Sequence, residues 1–218
     1  MQAKIKTTIK LFIVVYALLL SAMGTQAATI TVTNENDAGA GSLRQAVINA
    51  KSGDTIKFAP DVTHIILTIK AIGGWDMLIE KDLTICGGND TTQKVTIEAN
   101  NNSGTGIFVI GSPGIHIADN PFDTITSLNF TINNLILTGG FASGYGGYNG
   151  AVVHYDSGPN GNFIAMNCIF SKNTASDRGC GVVSTQQGNI MSINCTFSEN
   201  TSSAGTVYTY GLTEFSQP

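Results

Sequence analysis

An eight-residue string occurs twice near the C-terminal end: Asn167-Cys168-Ile169-Phe170-Ser171-Lys172-Asn173-Thr174 is answered, 27 residues later, by Asn194-Cys195-Thr196-Phe197-Ser198-Glu199-Asn200-Thr201. A more degenerate copy, Asn134-Leu135-Ile136-Leu137-Thr138, lies 33 residues before the first. Offsets in the range of roughly 20 to 50 residues mark units that cannot bury a core alone and must stack on their neighbours. Between the copies runs a second unit, beginning at Gly150, Gly181 and Gly205 and continuing into Val152-Val153, Val182-Val183 and Thr206-Val207. The glycines are expected to turn equivalent corners. By period two, Met166, Cys168 and Phe170 share one strand face, as do Ile193, Cys195 and Phe197, and both sets are assigned to the core. Phe170 should then lie over Phe197 at the strand spacing of about 4.8 Å. Asn173 and Asn200 should occupy equivalent corners, satisfying turn backbone groups and each other.

Upstream the chain is a series of short β-prone segments. They are 55–58, 64–69, 83–85, 94–97, 107–110, 115–117 and 128–137, each bounded by Gly, Asn, Asp or Pro. Gly is 25 of 218 residues and charged residues are only 12%, which suits many short strands with tight turns better than helices or disorder. One amphipathic helix is expected. Ser42 and Gln45 make a capping-box pair, Leu43, Ala46, Val47 and Ala50 form one apolar stripe, and Gly53 ends it. Before it, Thr29 to Thr33 alternates as a half-buried strand does. The reading is an all-β parallel β-helix of about six to eight rungs, with residues 28–53 as an N-terminal strand and capping helix and 54–218 as rungs.

Residues 1–27 have the plan of a signal peptide: Lys4, Lys6 and Lys10, an uncharged run from Leu11 to Leu20, then small residues with Thr25 and Ala27 placed for cleavage before Ala28. The run is shorter than the span of about 20 residues a bilayer requires, and no later segment is long and apolar enough to cross one. An uncleaved anchor is the alternative. Removing the leader takes three of 11 basic residues and none of 15 acidic ones, so the formal charge moves from −4 to −7. That surface argues against nucleic acid and anionic lipid. Cys86, Cys168, Cys180 and Cys195 would enter an oxidising compartment, where disulfides are permitted but not demanded. No C-x-x-C or Cys/His cluster suggests zinc, and no cofactor is expected. Stacked Cys168 and Cys195 would point in parallel, which fits free thiols better than a bridge, while Cys180 could pair elsewhere.

These residues resemble the secreted right-handed parallel β-helix proteins with polymorphic outer-membrane-protein type repeats. Phe170 to Asn173 and Phe197 to Asn200 match that family's F-x-x-N unit, and its G-G-A-[ILV] unit is matched in part at Gly150, Gly181 and Gly205. The stretch Ser42-Leu43-Arg44-Gln45-Ala46-Val47 resembles the cap common at the start of such chains. The resemblance spans most of 28–210 and implies a surface-exposed or secreted protein of adhesin or passenger type. It would bind carbohydrate or a cell-surface protein through a side face. Autotransporter members continue into a membrane barrel, whereas this sequence ends at Pro218 soon after a repeat. A truncated reading frame, a small member, and a piece that associates end to end through an open last rung all stay open.

Enzymes that cut acidic polysaccharides also use parallel β-helices, and need carboxylate clusters for calcium or paired across a groove. The candidates are sparse: His154 and Asp156 flank Tyr155, and Asp177 adjoins Arg178. Each also suits an ordinary strand end or exposed loop. Asp119 and Asp123 read as turn residues, and Trp75 as a gap filler or a sugar-stacking face. The sequons at Asn89, Asn101, Asn129, Asn194 and Asn200 fit asparagine ladders better than glycosylation. Three functions follow from the sequence: a binding passenger, a lyase or hydrolase, and a structural fragment without a ligand.

Overall fold

The computed structural model describes residues 27–69, 77–88, 93–100, 106–111, 127–142, 150–156, 160–176, 180–202, 205 and 207–209. The leader up to residue 26, the segment 115–117, Trp75, Asp119, Asp123, Asp177, Arg178, Asn89 and Asn101 lie outside them.

Strand β1 (Thr29–Val32) leads into the helix α1 (Leu43–Asn49). A first circuit follows through β2 (Asp54–Phe58), β3 (His64–Leu67) and β4 (Met77–Ile79), and a second through β5 (Leu83–Cys86), β6 (Val95–Ala99) and β7 (Phe108–Gly111). The third adds a short strand: β8 (Asn129–Asn133), β9 (Leu135–Thr138), β10 (Phe141–Ala142) and β11 (Val153–Asp156). The fourth is β12 (Asn162–Met166), β13 (Ile169–Ser171), β14 (Thr174–Ala175) and β15 (Val183–Gln187). The fifth is β16 (Asn189–Ile193), β17 (Thr196–Ser198), β18 (Thr201–Ser202) and β19 (Val207–Thr209).

Each strand pairs in parallel with its counterpart one circuit away. The result is three parallel sheets, β1-β2-β5-β8-β12-β16, β3-β6-β9-β13-β17 and β4-β7-β11-β15-β19, with a fourth ladder β10-β14-β18 at a corner. The architecture is all-β with one helix, and the strands missed by sequence reading are Met77–Ile79 and the two-residue β10, β14 and β18. Circuit length varies because loops absorb the difference. Leu83 pairs with Phe130 across 47 residues, and Phe163 with Ile190 across 27. Five full circuits among the described residues therefore use the chain that had been divided into six to eight.

The core is a set of vertical columns. Phe170 and Phe197 stack with ring centroids 4.9 Å apart and planes 10° from parallel, as the repeat requires. Leu137 continues that column through its pairing with Phe170. A second column holds Phe130 over Phe163, centroids 5.9 Å apart, with Phe108 tilted against Phe130 at 5.2 Å.

The corners correct the sequence reading. Asn134, Asn167 and Asn194 have φ of 59°, 53° and 51°, so the chain turns there in the left-handed conformation that Asn tolerates. This breaks the expected strand 128–137 in two. It also shifts the period-two count, so Met166 and Ile193 face outward, Ile193 being 38% exposed, while Cys168 and Phe170 face in. At the next corner Gly139, Lys172 and Glu199 take positive φ, one residue before the expected Asn173 and Asn200. Asn173 stands beside that bend, fully buried, accepting from Gly140 N–H and donating to Leu137 O and Asn200 Oδ1. Gly181 and Gly205 are equivalent through Val183 and Val207, but Gly150 pairs with Cys180, one position out of step. A Cβ on Gly150 would stand 2.0 Å from Val153 O, so close backbone packing fixes that residue.

The helix covers the N-terminal end, burying Leu43, Ala46, Val47 and Ala50. Ser42 accepts from Gln45 N–H at 3.2 Å, but the Gln45 side chain bonds Asn49 instead of returning to Ser42, leaving half a capping box. The helix ends at Asn49, with Ala50 as its C-cap; Gly53, φ 89°, makes the later turn into β2. Among the described residues no helix is long and apolar enough to cross a membrane.

A polar clasp holds this end. Asp37 Oδ1 receives Arg44 Nη2 at 2.6 Å, and Asp37 Oδ2 receives the backbone N–H groups of Thr68 and Ile69 at 2.7 and 2.6 Å. Burial works against the Asp37 charge, but Arg44 and those donors outweigh it and hold its pKa below the ordinary 3.8.

Phe170→Ala should cost about 3–5 kcal/mol in urea unfolding, and Phe197→Ala, half-buried on the last circuit, clearly less; equal costs would contradict the column. A lowered native pKa stabilises above the unfolded value and is lost as pH falls through the folded one. Asp37→Asn should therefore cost about 2–3 kcal/mol at pH 7, with the gap to wild type closing only below pH 3.8 in a melting series.

Candidate binding face

The first sheet presents its most regular outer surface where β8, β12 and β16 run in register from Asn129, Asn162 and Asn189 to Asn133, Met166 and Ile193. Alternation sends Phe130 and Ile132, Phe163 and Ala165, Ile190 and Ser192 inward. Nine residues are left facing out in three rows: Asn129-Asn162-Asn189, Thr131-Ile164-Met191 and Asn133-Met166-Ile193. None of the nine carries a charge, and Met191 and Ile193 are 41% and 38% exposed.

Amide ladders run along both margins. Asn189 Nδ2 donates to Asn162 Oδ1 at 3.1 Å, Asn162 Nδ2 to Asn129 Oδ1 at 2.7 Å, and Asn129 N–H to Asp82 Oδ1 at 2.7 Å. On the other side Asn194 Nδ2 donates to Asn167 Oδ1 at 2.7 Å, and Asn167 Nδ2 to Asn133 Oδ1 at 3.0 Å. An amide offers two donors and two acceptor lone pairs, so a ladder bond in each direction leaves capacity on every rung. The sequons at Asn129 and Asn194 are members of these ladders, and Asn200 bonds Asn173. The whole face could have been found in the sequence. Asn162-x-Ile164-x-Met166 is answered by Asn189-x-Met191-x-Ile193, but counting through the corner Asn placed Met166 and Ile193 inside.

Of the residues singled out for catalysis, His154 and Asp156 lie elsewhere, on β11. His154 is the second residue of β11, not a strand end, and its Nδ1 is 2.9 Å from Ser184 Oγ on the paired strand. That neighbour was not foreseen. Ser184 is 1% and His154 9% exposed, so the hydroxyl is closed to a polymer substrate. Val109 in the same outward row is 3% exposed, so the third sheet is buried on both faces there, unlike the first. Asp156 ends β11 at an irregularity in the register, opposite Gly111 and Gln187. The structure thus brings His154 to Ser184.

An open cleft of about 460 Å³ lies where the chain leaves the second sheet, lined by Ala99, Asn100, Gly139, Gly140, Phe141, Lys172 and Thr174. Its described lining residues include one cation and no carboxylate, whereas glycoside hydrolysis needs two. Among the described residues no three His, Cys, Asp or Glu side chains gather as a metal site.

The four cysteines are unpaired thiols. Cys180 is raised to about 12 by burial, and Cys86 is also raised by burial, against the pull of Lys57. Cys195 differs. It stands next to Cys168 on the circuit below, whose N–H points at Cys195 Sγ at 3.4 Å. Hydrogen bonding from the Cys168 thiol lowers Cys195 to about 6, against the effect of burial, and Cys168 rises in consequence. Half-buried Cys195 should therefore react first with iodoacetamide at pH 7, and Cys168→Ala should slow it at least several-fold. Peptide mapping after timed quenching reads this directly, and faster labelling of Cys180 or Cys86 would contradict it.

No family model, no curated protein and no solved structure matches this chain, so a functional reading rests on the geometry of the chain itself.

Proposed function

We propose that this chain is exported and that its mature part is a right-handed parallel β-helix of adhesin or passenger type, similar to proteins with polymorphic outer-membrane-protein repeats. The outer face of β8, β12 and β16 is its binding surface, and neutral carbohydrate its ligand. The observation that carries this reading is the pairing of an uncharged, partly apolar strip with amide ladders on both margins. Sugar rings have apolar C–H faces and rims of hydroxyls, so the Ile164, Met166, Met191 and Ile193 side chains suit the first and asparagine amides the second. A repeat of about 4.8 Å per rung gives an extended polymer the same contact several times over, so weak sites add. The acidic balance of the mature chain disfavours an acidic polysaccharide.

The lyase or hydrolase reading is supported less well, because His154 and its partner Ser184 are enclosed. A cell-surface protein as ligand and a structural fragment without one remain outcomes of the same test.

The chain from Ala28 to Pro218 should bind neutral glycans saturably on an array and release no unsaturated products or new reducing ends. Met191→Asp with Ile193→Asp should weaken binding at least tenfold, since each buries an unpaired charge, with an unchanged far-UV spectrum. Binding indifferent to both changes, or turnover that Asp156→Ala or Asp177→Ala abolishes, would sink the proposal.

A further inference from the structure

A backbone amide at the start of the first strand has a carboxylate as its partner. Ala28 N–H donates to Asp54 Oδ1 at 2.8 Å, while Asp54 Oδ2 takes Lys51 N–H at 2.8 Å. Asp54 is 5% exposed, although it opens a strand in a chain where buried carboxylates are rare. Ala28 is held from its other side as well, since its carbonyl accepts from Thr55 N–H at 2.8 Å. Ala27 and Ala28 are both exposed, and the pairing of β1 with β2 begins only at Thr29 with Thr55.

Asp54 holds the Ala28 N–H as Asp37 holds those of Thr68 and Ile69, but at Ala28 an ammonium in place of the amide would also neutralise the carboxylate charge. Small residues at Thr25 and Ala27 place a signal-peptidase cut before Ala28, which is the nitrogen Asp54 holds. We infer that the Ala27–Ala28 bond is the processing site, and that the new α-ammonium of Ala28 forms an ion pair with Asp54 that locks β1 onto β2. This rests on the export reading above.

In the cleavage step water adds across the Ala27–Ala28 amide. The C–N bond breaks, Ala27 leaves with a carboxylate, and the released amine of Ala28 takes a proton. A membrane-bound signal peptidase supplies the catalysis while the chain is still unfolded, and the ammonium then docks as β1 pairs. Two other cations, Lys51 and Lys81, also act on Asp54. Lys51 meets it through its backbone N–H, and Lys81 Nζ caps the helix by donating to Ala50 O at 2.8 Å and Val47 O at 3.3 Å. The amide bond to Asp54 is already charge-assisted through the carboxylate, and the ammonium adds the attraction of an opposite charge.

Two arms test this separately. Expressed with its leader in a Gram-negative host, the exported protein should begin at Ala28 by N-terminal sequencing; a different first residue, or a leader left in place, overturns the processing site and the export reading with it. The second arm needs no export. A chain released from a cleavable tag with a free amine at Ala28 should melt about 2–4 °C above the same chain acetylated at Ala28, and Asp54→Asn should erase that difference. Acylation of the Ala28 amine at pH 7, read by peptide mapping, should be at least several-fold slower in wild type than in Asp54→Asn. Should Asp54→Asn fail to fold, the acetylated and free forms of the wild-type sequence still decide the matter. Equal melting of those two forms overturns the ion pair whatever the first arm shows.

Discussion

Parallel pairing of each strand with its own counterpart one circuit away governs everything else in this molecule. A side chain in such a stack has its equivalent above and below it at about 4.8 Å, so every column places like on like. Apolar residues and amides accept that arrangement, because both interact favourably with copies of themselves. Charges do not, since like charges directly opposed on neighbouring strands repel. The composition follows from this rule. Charged residues are 12% of the chain, Phe and Ile fill the columns, and Asn lines three corners in hydrogen-bonded series. Polar partners that do meet across a sheet are staggered, as with His64 Nε2 and Glu98 Oε2, 2.8 Å apart across β3 and β6.

The same rule explains what could be read from the sequence. Phe170 over Phe197 and Asn173 beside Asn200 were legible because two nearly identical copies expose the register directly. The amphipathic stripe of α1 was legible because one turn of period 3.6 suffices to show it. Corners were not. A residue with φ near 55° changes strand direction without changing the apolar pattern around it, so Asn167 and Asn194 looked like ordinary strand residues and carried Met166 and Ile193 into the wrong column. Lys172 and Glu199 give still less warning, because nothing in a lysine or glutamate announces a left-handed turn. β4 was missed for another reason: three residues are too few to show any period.

The error about Met166 and Ile193 concealed the surface that matters most. Placed inside, they complete a core and leave an unremarkable exterior. Placed outside, they join Ile164 and Met191 in a strip between two amide ladders. Apolar groups kept at 38–41% exposure on a flat sheet cost the free protein something in hydration, and a core position was available one residue away. The third sheet shows the opposite choice. There the outward row of Val109, His154 and Ser184 is covered, and its polar pair is spent on internal hydrogen bonding. One face of the stack is closed and another left open, which is the distribution expected of a protein that meets its ligand from the side.

The N-terminal end of the stack is organised for a related reason. A parallel sheet has an edge at each end, and an edge strand exposes N–H groups that invite another chain. At the N-terminal end three carboxylates answer those donors. Glu35 takes Thr63 and His64, Asp37 takes Thr68 and Ile69, and Asp54 takes Ala28 and Lys51. Hydrogen bonds from these backbone groups come first among the causes that lower Glu35 and Asp54, so the edge and the acids stabilise one another. No sequence motif announces this, because the three acids are separated from most of their partners by 26 to 32 residues. A chain that stacks neutral side chains along its length thus concentrates carboxylates at its first edge, where no equivalent residue lies below to repel them.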